Sequence, residues 1–167
     1  MKLSSWASLL TYPGPDYHAC ARACAAAAPS PEMEDFTRTI EGLPVETLQE
    51  LYTQTFDWNP DTTLDIGWHL FGENYDRGDF LVKLRGALRT YGLAESHELP
   101  DHLSHVLPLL DRLPEDERAD FAAKYLLPAL EKLRAGLAKT ESPFLPLADS
   151  LRREAAALVP QTVASGA

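Results

Sequence analysis

The sequence has 167 residues, of which 15 are Lys or Arg and 25 are Asp or Glu, so its formal net charge is −10. Nucleic acids and anionic lipid surfaces are bound through clustered basic side chains, and this sequence has no run rich in Lys or Arg. The composition therefore argues against both partner classes and favours a cationic partner. A chain of this length is expected to form one domain that buries roughly 70% of its unfolded surface without a metal or disulfide.

Cys20 and Cys24 are the two cysteines, and they form no Cys-x-x-Cys pair of the kind that binds metal. Their spacing in an Ala-rich stretch predicts small apolar residues of a helix in a reducing compartment. The first residues contain one Lys and a short apolar run that ends at Pro13, which does not fit a secretory signal. No uninterrupted apolar run approaches 18 residues, so we expect no membrane insertion and predict a cytoplasmic protein.

The predicted elements are all helices. Leu and Ala are abundant, whereas β-branched residues are sparse and do not alternate with polar ones. In chain order, the pattern predicts helices over residues 3–10, 15–28, 31–41, 44–56, 61–71 and 76–91, followed by helices that start near 101, after Pro114 and after Pro143. Pro128 is expected to kink or split the eighth of these.

These elements predict an all-α fold, a single-domain bundle of about eight to ten helices. The predicted domain covers residues 1–160. A disordered tail is expected at 161–167.

Residues 52–72, which we call the elbow, contain two Trp, two Phe and a Tyr. Leu48, Tyr52 and Phe56 repeat at i, i+4 and therefore share a helix face. The pattern breaks at 58–60, where Pro60 follows Trp58 and Asn59. Two predicted helices thus meet at an aromatic-rich corner.

A second set of side chains with helical spacing follows the break in the elbow. Asp61 or Thr62 can cap a helix in which Asp65, His69 and Glu73 line up at i, i+4 and i+8. Two interpretations remain open at this point. The aromatic residues of the elbow are either the core of a helix corner or part of a binding site with a polar border.

A metal-dependent enzyme is the alternative function. Asp65 with His69, and Asp101 with His105, both have Asp-x-x-x-His spacing and could supply four ligands from two helices. Helical di-metal proteins instead use Glu-x-x-His pairs, and none occurs in this sequence. The motifs of a nucleophile elbow or a phosphate-binding loop are also absent. We therefore expect no catalysis, no metal and no cofactor, and keep a helical metal-dependent hydrolase or oxidase as the alternative.

Four stretches of the sequence resemble the redox-enzyme assembly chaperones of the NarJ, TorD and DmsD type, and most closely the NarJ-like branch. They are WASLLTYPGPDY, YTQTFDW, HLFGENYDRGDFLVKLRGALRTYGL and ELPDHLSHVLPLL. Together they span about residues 5 to 110 in the order that the family has. The resemblance implies the helical fold of this family.

The resemblance also implies a cytoplasmic chaperone with no catalysis of its own. Such a protein binds the N-terminal or leader segment of a molybdoenzyme catalytic subunit, as in a nitrate reductase. It holds that subunit for insertion of the molybdenum cofactor before export or membrane docking. Delivery proteins for the molybdenum cofactor are further candidate partners, and we expect a monomer or a weak homodimer.

The binding surface of the family carries over onto Tyr52, Phe56 and Asp57 of the elbow, and onto Asp101 and His102 of the ELPDHL segment. Aromatic anchors and acidic side chains of the elbow extend this surface, because a basic amphipathic segment is bound by apolar contacts with complementary charge around them. The predicted client-binding residues are Tyr52, Phe56, Asp57, Trp58, Asp65, Trp68, His69, Phe71, Asp101, His102 and His105.

Overall fold

A computed structural model of the chain describes residues 2–161. Ten α-helices and no β-strand occur among them, so the predicted all-α class and number of helices are confirmed. No helix of this described part is long and apolar enough to span a membrane. The expected tail, apart from Gln161, lies outside the described residues. The helices are α1 (Ser4–Ala7), α2 (Tyr17–Ala27), α3 (Pro31–Glu41), α4 (Val45–Tyr52), α5 (Ile66–Phe71), α6 (Tyr75–Thr90), α7 (Leu103–Arg112), α8 (Glu115–Phe121), α9 (Leu127–Lys139) and α10 (Leu145–Ala157).

Local signals explain where several helices begin. The hydroxyl of Ser30 accepts a hydrogen bond from the backbone N–H of Met33, and Pro31 occupies the first helical position of α3. The side chain of Asn74 caps α6 by accepting from the backbone N–H of Asp76. These caps satisfy backbone donors that lack partners within the first turn of a helix.

The core joins helices from both ends of the described chain. α10 packs against α3 and α9, α1 against α7, and α5 against α6 and α9. Trp6 has no exposed surface, and its indole N–H donates to the hydroxyl of Ser150 at 3.3 Å. The rings of Phe36 and Phe144 lie 6.3 Å apart and are almost completely buried. This continuous core holds residues 53–65 of the elbow between α4, α5 and α9.

The fourth predicted helix changes geometry before its end. α4 stops at Tyr52, and Thr53–Asp57 form a π-turn. The backbone N–H of Trp58 donates to the carbonyl of Thr53 at 3.1 Å, which is a bond across five residues instead of four. Such π-bulges widen a helix by one residue and occur frequently at functional sites. The π-turn therefore alters the direction in which Asp57 and Trp58 leave the helix.

The prediction of one helix over residues 61–71 is wrong. Pro60–Thr62 form a 3₁₀ turn, and α5 begins only at Ile66, with Asp65 at its N-cap position. The backbone before α5 is held in an extended form by pairing with a distant segment, described below. Asp65 and Glu73 lie outside α5, so the predicted i, i+4, i+8 face does not exist.

Pro128 splits the eighth predicted helix, as the sequence indicates. α8 ends at Phe121, Ala122–Leu126 form a second π-turn, and α9 starts at Leu127 with the proline in its first turn. The helical backbone continues through this π-turn, where the N–H of Leu127 donates to the carbonyl of Ala122, so the missing N–H of Pro128 falls where the hydrogen-bond pattern changes.

Gly136 allows α9 to contact the 3₁₀ turn of the elbow closely. A Cβ atom at this position would lie 2.6 Å from the carbonyl oxygen of Asp61 and 2.9 Å from the methyl carbon of Thr62. Contacts this short do not occur between a Cβ and a backbone atom, so a larger residue would displace the turn. The glycine thereby helps to fix Pro60 and Asp61.

Candidate functional site

Two segments that lie far apart in the sequence meet through a short backbone pairing. Asp65 and His102 form an isolated antiparallel bridge. The N–H of Ile66 donates to the carbonyl of Asp101, and the N–H of Leu103 donates to the carbonyl of Leu64, both at 3.0 Å. The pairing places the start of α7 directly beside the elbow. The structure therefore brings together the two segments from which the binding surface was predicted.

Asp101 lies at the centre of this junction and has no exposed surface. Its carboxylate accepts from the backbone N–H of Gly67 at 3.0 Å and from the guanidinium of Arg77 at 3.1 and 3.2 Å. A Cβ on Gly67 would lie 2.4 Å from this carboxylate, so the position requires glycine. Asp101 is a structural link between α5, α6 and α7, with no surface for a client to contact.

Arg77 is a site residue that the sequence analysis did not select. Its guanidinium lies 3.5 Å from the carboxylate of Asp65 and is paired with Asp101. The guanidinium carbon also lies 5.9 Å from the centroid of the Trp68 ring, within the range of a cation–π contact. One signal was available: Arg77 is the sole Lys or Arg between Arg38 and Lys83. An isolated cation in an acidic stretch is expected to have carboxylate partners.

A hollow of about 210 Å³, which we call the elbow hollow, opens between the π-turn, the 3₁₀ turn, α5 and α6. Burial raises the pKa of Asp65 to about 6, the nearby charge of Asp101 adds to the rise, and Arg77 opposes it. Burial also raises the pKa of Asp57. The hollow thus combines one cation with two carboxylates whose charge is incompletely solvated. Its lining residues are Phe56, Asp57, Asn59, Pro60, Thr63, Asp65, Trp68 and Arg77.

The predicted aromatic anchors divide into buried and accessible residues. Tyr52 and Phe56 are only 3% and 4% exposed, whereas Trp58 is 73% exposed. Trp68 and Phe71 are half-buried, and the ring of Phe71 packs 5.4 Å from that of Phe80. The expectation that Tyr52 offers its ring to a client is therefore corrected, because that ring belongs to the core in this conformation. Phe56 forms the floor of the elbow hollow.

His102 occupies the N-cap position of α7. Its Nδ1 accepts a hydrogen bond from the backbone N–H of Ser104 at 3.1 Å, so the proton of the neutral ring is on Nε2. Burial lowers the pKa of His102 to about 4, and the nearby imidazoles of His105 and His97 contribute to the shift. His102 is therefore neutral near pH 7, with its Nε2–H 4.0 Å from the carboxylate of Glu98.

The four ligands proposed for the alternative metal enzyme are not brought together as one set. Both ring nitrogens of His105 are used: Nε2 accepts from the N–H of Ser96 at 2.9 Å, and Nδ1–H donates to the carbonyl of Leu99 at 2.9 Å. His69 donates Nε2–H to the carbonyl of Thr63 at 2.7 Å, and Asp101 is paired with Arg77. Hydrogen bonds therefore hold these side chains in other roles.

Among the described residues, a different group does place its ligand atoms within 4.8 Å of one another, namely Asp65, Glu98 and His102. A metal would require the unprotonated Nε2 of His102, but the backbone donor at Nδ1 keeps the proton on Nε2. Arg77 also already pairs with Asp65. The local hydrogen bonding therefore disfavours a metal on this group.

The low pKa of His102 leads us to expect that the folded state becomes less stable in acid. The unfolded side chain, with a pKa near 6.5, takes up a proton between pH 7 and 5 that the folded side chain, with a pKa of about 4, does not. The unfolded state binds more protons in this range, so His102 should lower the free energy of unfolding by about 2 kcal/mol on going from pH 7 to pH 5. His102→Asn keeps an N-cap acceptor but removes the titration.

Urea unfolding at both pH values tests this expectation. The loss between pH 7 and 5 should be about 2 kcal/mol smaller in His102→Asn than in the parent protein. His97→Asn is the control, since the side chain of His97 is 87% exposed and makes the smallest contribution to the shift of His102, so its loss should stay close to that of the parent protein. Equal losses in the parent and in His102→Asn would assign the acid sensitivity to other groups.

The fold and the hollow define a class of protein: an all-α domain with a surface site of aromatic rings and carboxylates, which suits the binding of a polypeptide segment. The family model described as the nitrate reductase delta subunit matches residues 22–149. The chain belongs to this family.

Curated relatives identify the branch of this family. The nitrate reductase molybdenum cofactor assembly chaperone NarJ of Escherichia coli (strain K12) is 35% identical over 117 residues, which are 70% of this chain and 49% of NarJ. The probable nitrate reductase molybdenum cofactor assembly chaperone NarW of the same strain is 31% identical over 123 residues, 73% of this chain and 53% of NarW. The chain spans about half the length of these relatives. The NarJ-like resemblance is confirmed, and the names describe assembly chaperones, in agreement with the prediction that the chain is not an enzyme.

Proposed function

We propose that this protein is an assembly chaperone for a nitrate reductase and binds the N-terminal segment of the catalytic subunit at the elbow hollow. In this proposal it acts in the cytoplasm and holds the subunit until the molybdenum cofactor has been inserted. The names of its relatives support the chaperone role. Trp58 supports the site most directly: it lies between two residues that line the hollow and leaves 73% of its surface exposed. Exposed Trp residues are enriched at interaction hot spots.

The contacts divide between apolar anchors and charges. Trp58 and Trp68 supply accessible ring surface, and burial of such rings provides most of the binding energy. Asp57 and Asp65 supply negative charge for a basic segment. Exposed ion pairs contribute about 0–1 kcal/mol each, so the carboxylates orient the segment more than they stabilise it. A chaperone must release its client, and we therefore expect affinity in the micromolar range, on the order of −8 kcal/mol.

The buried members of the predicted site have a supporting role in this proposal. Tyr52 and Phe56 hold the π-turn against the core, and Asp101 holds Arg77 beside Trp68. The delivery proteins for the molybdenum cofactor, and the monomeric or weakly dimeric state, remain predictions. They require their own experiments.

Replacing Trp58 with alanine is expected to weaken binding of the client peptide by about 2 kcal/mol, which is roughly 30-fold in affinity. Calorimetry with a synthetic N-terminal peptide of the nitrate reductase catalytic subunit from the same organism measures this. The Trp58 side chain has little core contact, so the melting temperature should hardly change.

Tyr75→Ala is the matched control, because Tyr75 is an aromatic residue that is 95% exposed and does not line the elbow hollow. Its affinity for the peptide should equal that of the parent protein. If Trp58→Ala binds as tightly as this control, Trp58 is not part of the client site. If the parent protein itself binds no peptide, the proposed function is wrong.

A further inference from the structure

A second cavity is lined in part by Trp58. It has a volume of about 340 Å³ and shares no lining residue with that hollow. It lies along the exposed face of α4 and beside the loop that follows α1, and we call it the α4 notch. Its lining residues are Tyr12, Glu46, Gln49, Glu50, Thr53, Gln54 and Trp58.

A ring contact and hydrogen bonds hold the Tyr12 side of the α4 notch and the backbone of Trp58. The side-chain amide of Gln49 donates to the carbonyl of Pro13 at 2.8 Å, which ties the loop that carries Tyr12 to α4. The Tyr12 ring meets the buried Tyr52 ring edge to face, at a centroid distance of 5.9 Å and an angle of 89°. On the other side, the π-turn fixes the backbone of Trp58 through its bond to Thr53. The Tyr12 wall and the backbone that carries Trp58 are therefore held before any ligand arrives.

The aromatic walls of the α4 notch leave much of their surface exposed, and its carboxylates have no cationic partner among the described residues. Tyr12 is 57% exposed and Trp58 is 73% exposed, and they are two of the five large hydrophobic residues of the described chain with such exposure. No Lys, Arg or His lines the notch. Within residues 2–161, Glu46 and Glu50 take part in none of the ion pairs within 4.0 Å.

This combination fits one class of ligand. A Lys or Arg side chain is attracted to the faces of Trp and Tyr rings and to carboxylates, and it has an aliphatic stem that covers apolar surface. Hard divalent cations instead require several oxygen ligands and gain nothing from aromatic walls. The notch of a protein with net charge −10 would also attract a cation from a distance.

We propose that the α4 notch binds a Lys or Arg side chain of the client's N-terminal segment, between Tyr12 and Trp58 and opposite Glu46 and Glu50. The proposal rests on the proposed function for the identity of the partner. Trp58 then takes part in both sites: it lies between two lining residues of the elbow hollow, and it covers the basic side chain in the notch. The notch would set the register of the segment and select against clients that lack a cation at that position.

A small probe tests the notch without any client. Acetyl-arginine-amide, added to ¹⁵N-labelled protein at millimolar concentrations, should shift the indole N–H resonance of Trp58 in a saturable manner. Trp58→Phe assigns that resonance among the three Trp residues of the chain. Acetyl-citrulline-amide, which has the same shape without the charge, should cause at least tenfold less shift at equal concentration. The shift with arginine should disappear in the double variant Glu46→Gln, Glu50→Gln.

The client peptide tests the same notch in its proposed role. The double glutamine variant should bind the peptide about tenfold more weakly than the parent protein at low salt, with a smaller difference at high salt. Its preference for the peptide over one in which every Lys and Arg is replaced by citrulline should be about tenfold smaller than in the parent protein, because Asp57 and Asp65 still attract the basic segment. Both glutamates lie on the exposed side of α4, so the melting curve should stay within a few degrees.

The two measurements separate the two proposals. The notch proposal is wrong if arginine and citrulline shift the Trp58 resonance equally, or if the shift is unchanged in the double variant. This holds even when the parent protein binds the peptide. A charge-selective shift at Trp58 without peptide binding supports a notch for basic side chains and overturns the proposed client. If the double variant binds the peptide as tightly as the parent protein, the proposed function stands, but the notch is not part of the client site.

Discussion

Replacing Asp101 with asparagine is expected to lower the free energy of unfolding by about 3 kcal/mol. Asp101 has no exposed surface and is the buried partner of Arg77, whose side chain is 18% exposed. Asparagine can still accept from the N–H of Gly67, but it leaves the guanidinium with a single, longer contact to Asp65 at 3.5 Å. Removal of one member of a buried ion pair is costly because the remaining charge is poorly solvated.

Urea unfolding monitored by circular dichroism measures this loss. Asp79→Asn is the control, since it makes the same charge change on α6 at an exposed position. Its free energy of unfolding should stay within about 0.5 kcal/mol of the parent value. A double-mutant cycle with Arg77→Gln should show that the two substitutions together cost less than the sum of the single ones. Additive effects would mean that the pair does not couple, contrary to the geometry.

The same burial changes what this substitution should do to client binding. Replacing a carboxylate at the rim of the hollow would weaken client binding, and added salt would make that loss smaller. Asp101 instead lies beneath the surface and acts by holding Arg77 against Trp68. We therefore expect any weakening of binding by Asp101→Asn to follow the fraction of folded protein and to be insensitive to salt. A salt-dependent loss in fully folded protein would restore Asp101 as a direct contact.

Helix boundaries are the part of the fold that the sequence predicts well. Ser30 and Pro31 mark the start of α3, Pro114 precedes α8, and Pro128 separates α8 from α9. Each of these signals acts within one helical turn, through a cap, a missing N–H or a restricted φ angle. Such information is present in a few neighbouring residues and needs no knowledge of the remaining chain.

The elbow shows where local information ends. Its extended backbone before α5 is held by pairing between Asp65 and His102, which lie 37 positions apart in the numbering. Helical spacing also places Tyr52 and Phe56 on one helix face, but it does not determine whether that face packs in the core or contacts a client. In the structure the two side chains are 3% and 4% exposed, so the face packs in the core. The structure therefore brings the two predicted segments together, while the division into floor, rim and support required the fold.

The three Trp residues differ widely in exposure, which the sequence alone does not indicate. Trp6 is completely buried, Trp68 is half-buried and Trp58 is 73% exposed, although each follows or lies in a helical pattern. The exposure of Trp58 depends on the π-turn, because a bond across five residues changes the direction of the chain that follows. No composition or period in YTQTFDW indicates that turn.

Replacing Phe56 with alanine is expected to lower the free energy of unfolding by about 3–4 kcal/mol. Its ring lies 4.8 Å from the ring of Phe144 in the core and 5.0 Å from that of Tyr52. Truncation removes a buried aromatic side chain and leaves a cavity between the rings of Tyr52 and Phe144, which these rings cannot fill without moving from their packed positions. Phe56→Leu keeps most of the volume and should cost less than about 1.5 kcal/mol.

Measurements of stability and of client affinity on the same samples decide the role of Phe56. As the floor of the elbow hollow, Phe56 should affect the affinity of the folded protein less than Trp58 does, because its ring is 4% exposed while that of Trp58 is 73% exposed. If Phe56→Ala unfolds like the parent protein but loses the peptide, the ring must reach the client, and the hollow must open on binding. If it loses stability and retains affinity, the aromatic pair Tyr52 and Phe56 is a support on which the accessible surface of the elbow is built.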